Sequence, residues 1–407
     1  MPLSKIHEGG EALIKARKIR LIPTEKQEIQ FWKSAGVARW AYNYFLSEQE
    51  KAYGRYLANN KTGKSSVSEG DVRKYINNVL KKTTHTWLKE VGSNVMKQAV
   101  KDADEAYKRF KSGKSKKPKF KSRHKSKISF YVNYETLARK QGGFQGEKLG
   151  FVKTASPLPK LKKGEKYSNP RISFDGKYWY LSVGYEVNEK KEELTDKSIG
   201  IDLGIKALAV CSDGKKYKNI NKTKRVRQLE KRLRREQRKV SGMITANIKE
   251  YKTVKNKRFP VWIRPLRECK NIQKQNNKIR LLHKRLTDIR NNYIHQTTTE
   301  IVKTKPSQIV METLNVKGMM KNRHLSKAIA QQKFYEFKRQ IEYKSRLYGI
   351  KFVEADTFYP SSKKCSCCGN IKKNLRLSDR IYRCESCGLV IDRDFNASVN
   401  LANYESA

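Results

Sequence analysis

The chain has 407 residues, 37% apolar and 32% charged, and its 91 Lys and Arg against 39 Asp and Glu give a formal charge of +52. That length suits two or three domains with their own cores. The charge makes salt-sensitive binding of a polyanion the first expectation, nucleic acid above all. A membrane span is excluded, because no stretch approaches the ~20 apolar residues one requires.

The opening "MPLSKIHEGGEALIKARKIRLIP" has no apolar core of signal-peptide type, which points to the cytoplasm. "RKIRLIPTEKQEIQFW" reads as a strand, a Pro turn and a helix capped at Thr24. Helical patterns continue to about residue 110, broken by stretches such as "NNKTGKSSVSEG". Residues 108 to 127 then hold eleven Lys or Arg and no acid. With Phe110 and Phe120 interleaved, that run reads as a surface for a phosphate backbone, Lys116, Lys117, Lys119, Lys121 and Arg123 being its candidate contacts; a solvated linker is the alternative.

From about 128 to 195 the pattern turns to short β pieces, with Asp175-Gly176 as a hairpin turn in "RISFDGKYWYLSVGYEV". "SIGIDLGIKALAVCSDGKKYKNI" gives two or three more strands, with turns at Gly204 and Asp213-Gly214. Two basic helices follow, around 221 to 239 and 270 to 303. The second carries Ile279, Leu282, Leu286, Ile289 and Tyr293 as one apolar stripe. A strand in "PSQIVMETLNV", a single helix ending at Gly349 and a strand in "IKFVEAD" complete the series. The segment from 240 to 270 fits no element.

Seven cysteines, five of them within 365 to 387, suit a metal site in a reducing compartment better than disulfides. Cys365 and Cys368, then Cys384 and Cys387, form two x-x knuckles fifteen residues apart, the spacing of a zinc ribbon. Gly369 and Gly388 follow each second cysteine, where the knuckle needs positive φ. Cys367 competes with Cys368 but lacks the spacing. Four thiolates close the site, so this zinc is structural; Cys211 and Cys269 are ordinary thiols.

In a chain poor in acids, three stand out. Asp202 lies inside the apolar "IGIDLGIKALAV", Glu312 ends "QIVMET", and Asp394 precedes "FNASVNLA" at a helix start, where a capping role is the alternative. The element order is that of an RNase H-like fold, which brings an acid from the first strand, the fourth strand and the last helix to one edge. Carboxylates gathered there need divalent cations between them, and Mg²⁺ suits carboxylate and phosphate oxygens. Two such ions can activate water and stabilise the leaving oxygen of a phosphodiester.

"GIDLGIKALAV", "IVMETLNV", the two cysteine knuckles and "DRDFNASVNLA", in this order, resemble the split RuvC nuclease of the TnpB family of insertion-sequence proteins, relatives of the compact type V CRISPR effectors. "RLIPTEKQ", "ARWAYNYFL", "AYKRFKSGKSKKPKFKSRHK", "RNNYIHQTT" and "FYPSSKKCSCCG" extend the likeness over nearly the whole chain. The resemblance implies an RNA-guided, metal-dependent endonuclease, prokaryotic and nucleoid-associated when bound to DNA. Its guide RNA would come from the element's end, and it would cut double-stranded DNA beside a short adjacent motif. It implies an α+β multidomain fold: a β-barrel wedge domain (1–25 and 125–195), an inserted helical recognition domain (26–124), and a split RuvC-like nuclease domain (196–361 and 391–407) with an inserted zinc ribbon (362–390). Asp202, Glu312 and Asp394 would be catalytic and hold two Mg²⁺ ions; Asp394 is preferred over Asp392 from its place two residues before Asn396. Alternatives are a nuclease-inactive guided DNA-binding repressor, a zinc-ribbon RNA-binding protein and a strand-transfer transposase.

Overall fold

The computed structural model describes residues 13–123, 126–188, 192–254, 256–376 and 378–405. Expectations for residues 1–12, 124–125, 189–191, 255, 377 and 406–407 lie outside these. Residues 13–187 form one compact unit and residues 188–405 the other.

The first unit opens with β1 (Leu13–Ile22) and the long α1 (Glu25–Ala58), which starts at a Thr24–Gln27 capping box. Next come α2 (Glu69–Tyr75), α3 (Ser93–Lys111), β2 (Ile128–Tyr131), β3 (Ala138–Lys140), β4 (Gly143–Gly146), β5 (Gly150–Thr154), β6 (Ser168–Phe174) and β7 (Trp179–Val187). Seven strands join in the order β2-β6-β7-β1-β5-β4-β3. Strand β1 pairs with β7 up to Arg20, then passes Leu21 and Ile22 to β5, so it turns the corner between two half-sheets. Among the described residues β2 and β3 remain edges. The expected barrel is therefore an open, bent sheet. Phe31 and Trp32 of α1 pack edge-on against Trp179, and Asp102 of α3 takes a two-pronged ion pair from Arg171 of β6.

The second unit contains β8 (Thr195–Leu203), β9 (Ala207–Cys211), β10 (Lys216–Lys218), α4 (Lys224–Thr245), β11 (Ile248–Val254), β12 (Lys257–Trp262), α5 (Lys270–Lys303) and β13 (Pro306–Glu312). It continues with α6 (Val316–Met319), α7 (Ser326–Gln332), α8 (Phe334–Leu347), β14 (Lys351–Ala355), β15 (Ile381–Arg383), β16 (Val390–Asp392) and α9 (Arg393–Ala402). Its main sheet runs β10-β9-β8-β13-β14, antiparallel through the first three strands and parallel from β8 to β14.

Two elements depart from the sequence reading. The unassigned 240–270 segment finishes α4 and then folds into the antiparallel β11–β12 hairpin. The single helix expected before Gly349 is two, α7 and α8, broken at Lys333 with φ 55°. The break follows Gln332, whose buried amide donates to the carbonyls of Gly204 and Ala207 in the β8–β9 turn. Among the described residues no helix is long and apolar enough to cross a membrane.

Strand alternation decides what each face of the main sheet can do. Ile199, Ile201 and Leu203 of β8, with Ile309 and Met311 of β13, enter the core shared with α5 and α8. Gly200 and Asp202, with Val310 and Glu312, therefore face the other way. Helix α9 covers that face, and its Leu401 is buried with Val310 and Ala355, a burial contributing about 1.5–3 kcal/mol.

Candidate active site and metal centre

Parallel pairing sets Val310 opposite Gly200 and Met311 opposite Ile201. The next pair in that register is Glu312 beside Asp202, two carboxyls at the ends of adjacent parallel strands and on one face. Gly200 lets α9 reach them: a Cβ there would stand 2.0 Å from the Ser398 carbonyl oxygen and 2.3 Å from the Ala402 nitrogen. No residue but glycine fits beneath the helix.

The first turn of α9 carries Asp394. Its neighbour Asp392, not Asp394, is the helix cap, accepting hydrogen bonds from the amides of Asp394 and Phe395 at 3.0 Å. The capping alternative for Asp394 is thereby removed and its carboxylate is left for other work. Arg380 stands 3.8 Å from it, and Lys216 stands 3.7 Å from Asp392.

The electrostatics single out Asp202 and Glu312. Burial raises the Asp202 carboxyl well above its ordinary range, and the charges of Glu312 and Asp394 push it further; Arg393 opposes them. Burial likewise pushes Glu312 up to about 7, against the pull of the Leu203 amide and of a hydrogen bond with Asp202. A buried carboxyl pair of this kind holds a proton unless a cation takes its place. The donor set is oxygen only, which fits Mg²⁺. Among the described residues only the four cysteines have ligand atoms all within 4.8 Å of one another.

The cysteines form a tighter figure. Cys365 and Cys387 sulfurs are 3.6 Å apart, and those of Cys368 and Cys384 3.5 Å. A tetrahedral zinc with ~2.3 Å bonds has sulfur–sulfur edges of ~3.8 Å, so the four thiols fit one ion. The two knuckles repeat each other's backbone: the Gly369 amide donates to the Cys365 carbonyl, and the Gly388 amide to the Cys384 carbonyl. Both glycines have positive φ, 76° and 74°. The amides of Cys387 and Ser386 hold the Cys384 thiol down to about 6. Cys367 is exposed and outside the quartet.

In the other unit, the candidate nucleic-acid contacts divide. Lys116, Lys119 and Arg123 are exposed. Lys117 pairs with Glu50 at 2.9 Å. Lys121 is the exception: its ammonium lies 3.6 Å from the centre of the Tyr42 ring, and burial lowers its pKa. It also lines the 340 Å³ cavity that Arg123 borders with Trp32, Arg39 and Lys127.

Sequence reasoning missed Gly200, Asp392 as the cap, and two buried amides on α9, Asn396 and Asn400. The signal for the amides was present: asparagines four apart on the buried face of a helix are unusual.

Three family models match the chain. One described as a Cas12f1-like TNB domain covers residues 334–401, one described as a probable transposase covers 182–323, and one described as a helix-turn-helix domain covers 13–57. Residues 13–57 here are β1 and one unbroken helix, so that last description does not carry over to the fold. A Streptomyces pristinaespiralis protein provisionally named an RNA-guided DNA endonuclease is 29% identical, over 95% of this chain and 88% of its own. A mimivirus protein named TnpB-like is 24% identical, over 95% and 72%. The cryo-EM structure of a Cas12f1–sgRNA–target DNA complex contains a chain that superposes with a TM-score of 0.53 at 13% identity, covering 96% of this chain and 99% of that one. This last likeness concerns the fold alone.

Proposed function

We propose that this chain, which belongs to the TnpB family, is an RNA-guided DNA endonuclease that hydrolyses phosphodiester bonds with two Mg²⁺ ions. The observation that carries the reading is the pairing of Asp202 with Glu312 at the ends of two parallel strands, under the helix that brings Asp394. The sheet order, three antiparallel strands followed by two parallel ones, supports a RuvC-like assignment for 196–361 and 391–407. The names of the relatives support guidance by RNA and DNA as the substrate.

Asp202 and Glu312, once deprotonated, would hold the cations together with Asp394. Asp394 closes the set from the helix side, with Arg380 limiting the local negative charge. Bound Mg²⁺ supplies an activated water and neutralises charge on the leaving oxygen. The cysteine quartet holds one structural zinc and has no open position for chemistry. Residues 26–124 would form the recognition region within a wedge of 1–25 and 125–195. Lys116, Lys119 and Arg123 would meet phosphates. All three acids are present, which argues against a nuclease-inactive repressor.

The guidance half of the proposal is tested by sequencing the RNA that copurifies with the protein when it is expressed beside its native flanking DNA. One discrete RNA with an end derived from outside the element is the expected result. A mixture of ribosomal and messenger fragments would overturn guidance.

A further inference from the structure

Asn396 and Asn400 are 0% and 3% exposed. Burying an amide is unfavourable unless each polar atom finds a partner, and apolar residues would pack this face without that demand. Here the partners belong to the base of the zinc ribbon. Asn396 Oδ1 accepts from the Ser366 amide at 3.0 Å, and its Nδ2 donates to the Lys364 carbonyl at 2.8 Å. Asn400 Nδ2 donates to the carbonyls of Ser361 and Lys364 at 2.8 and 2.7 Å. Ser366 lies inside the first cysteine knuckle, directly after Cys365.

The other half of the ribbon holds the same helix at its start. The Arg393 amide donates to the Arg380 carbonyl at 2.9 Å, and its Nη1 to the Arg376 carbonyl at 3.0 Å. The cap, Asp392, is the last residue of β16, the strand that leaves the ribbon paired with β15. Asp394 is thus fixed from both halves of the ribbon, whereas Asp202 and Glu312 are fixed by the sheet.

We infer that Asn396, assisted by Asn400, is a positioning residue that sets Asp394 against the other two acids, so that the folded zinc ribbon is a condition for divalent-cation binding at the proposed nuclease site. The inference rests on the nuclease reading and extends it to how that site is assembled. A purely structural role would lower stability and leave cation affinity alone.

The test measures Mn²⁺ binding by electron paramagnetic resonance on the full chain loaded with its copurified RNA, together with zinc content, for wild type, Asn396→Ala, Asn396→Asp and Asp202→Ala. The binding lost in Asp202→Ala defines the site. Asn396→Ala is expected to keep one zinc and weaken that component by about 10–100-fold. Asn396→Asp, which retains the acceptor for Ser366 and loses the donor to Lys364, should fall between. Unchanged Mn²⁺ affinity in Asn396→Ala with zinc retained would overturn the positioning role. If that variant does not fold, Asn400→Ser is judged by the same criterion. Wild-type Mn²⁺ binding in Asp202→Ala would instead overturn the nuclease-site reading.

Discussion

Glu312 and Asp202 carry a direct pH consequence. The folded chain raises both carboxyls, Glu312 from an ordinary 4.5 to about 7, so it holds their protons more tightly than the unfolded chain does. A raised carboxyl gives its full stability below its ordinary pKa and loses it as pH rises through the folded value. In buffer without divalent cations, the unfolding temperature should fall between about pH 5 and about pH 8. Glu312→Gln should flatten the profile, and an unchanged slope in that variant would show that the pair is not its source. Cysteine chemistry is also resolved at this scale. Cys384→Ser should lose zinc and, with it, several kcal/mol of ribbon stability, while Cys367→Ser should retain one zinc per chain by native mass spectrometry. The two cysteine pairs were readable from spacing alone, because a knuckle is a local structure. Asp392 and Asp394 were not separable in that way: which of two acids caps a helix depends on where the strand before it ends.

At the level of elements, the close approach of α9 to β8 is the feature most exposed to test. Gly200→Ala would drive a Cβ into two backbone atoms of α9, neither of which can rotate away. Overpacking of this kind typically costs about 1–3 kcal/mol. Urea unfolding should register that loss, and displacement of Asp394 should lower cleavage more than the stability change explains. Full activity would show that α9 can shift without disturbing the acids. The strand in "IGIDLG" was legible from its alternation and that in "QIVME" from its continuous apolar run, whereas the common face of Asp202 and Glu312 comes from the parallel register of β8 and β13. The α7–α8 break at Lys333 was not, since a buried Gln332 reaching the β8–β9 turn is a tertiary contact with no local signature. The β11–β12 hairpin escaped for a different reason: its residues are mostly exposed and lack a buried face to impose a period. The barrel expected for the first unit depended on long-range closure, which spacing does not encode.

For the whole molecule, the dominant quantity is the charge of +52. Nucleic-acid affinity should therefore fall steeply with salt: a complex making roughly six to ten phosphate contacts loses about 10³–10⁵ in affinity between ~50 and ~200 mM. A shallow dependence would mean that most of these cations serve the fold, through contacts such as that of Lys121 with the Tyr42 ring. Charge alone suits RNA and DNA equally, so composition could establish the class of partner but not the order of events. What distinguishes this chain from a generic basic protein is the small set of acids that the sheet and the last helix bring together. The most direct measurement of that claim is Mg²⁺-dependent cleavage of a DNA duplex matching the copurified RNA, compared between wild type and Asp202→Ala in equal guide-loaded amounts. The account predicts cleavage by wild type, loss by about three orders of magnitude or more in the variant, and DNA binding unchanged in both. Cleavage by Asp202→Ala at the wild-type rate would contradict it.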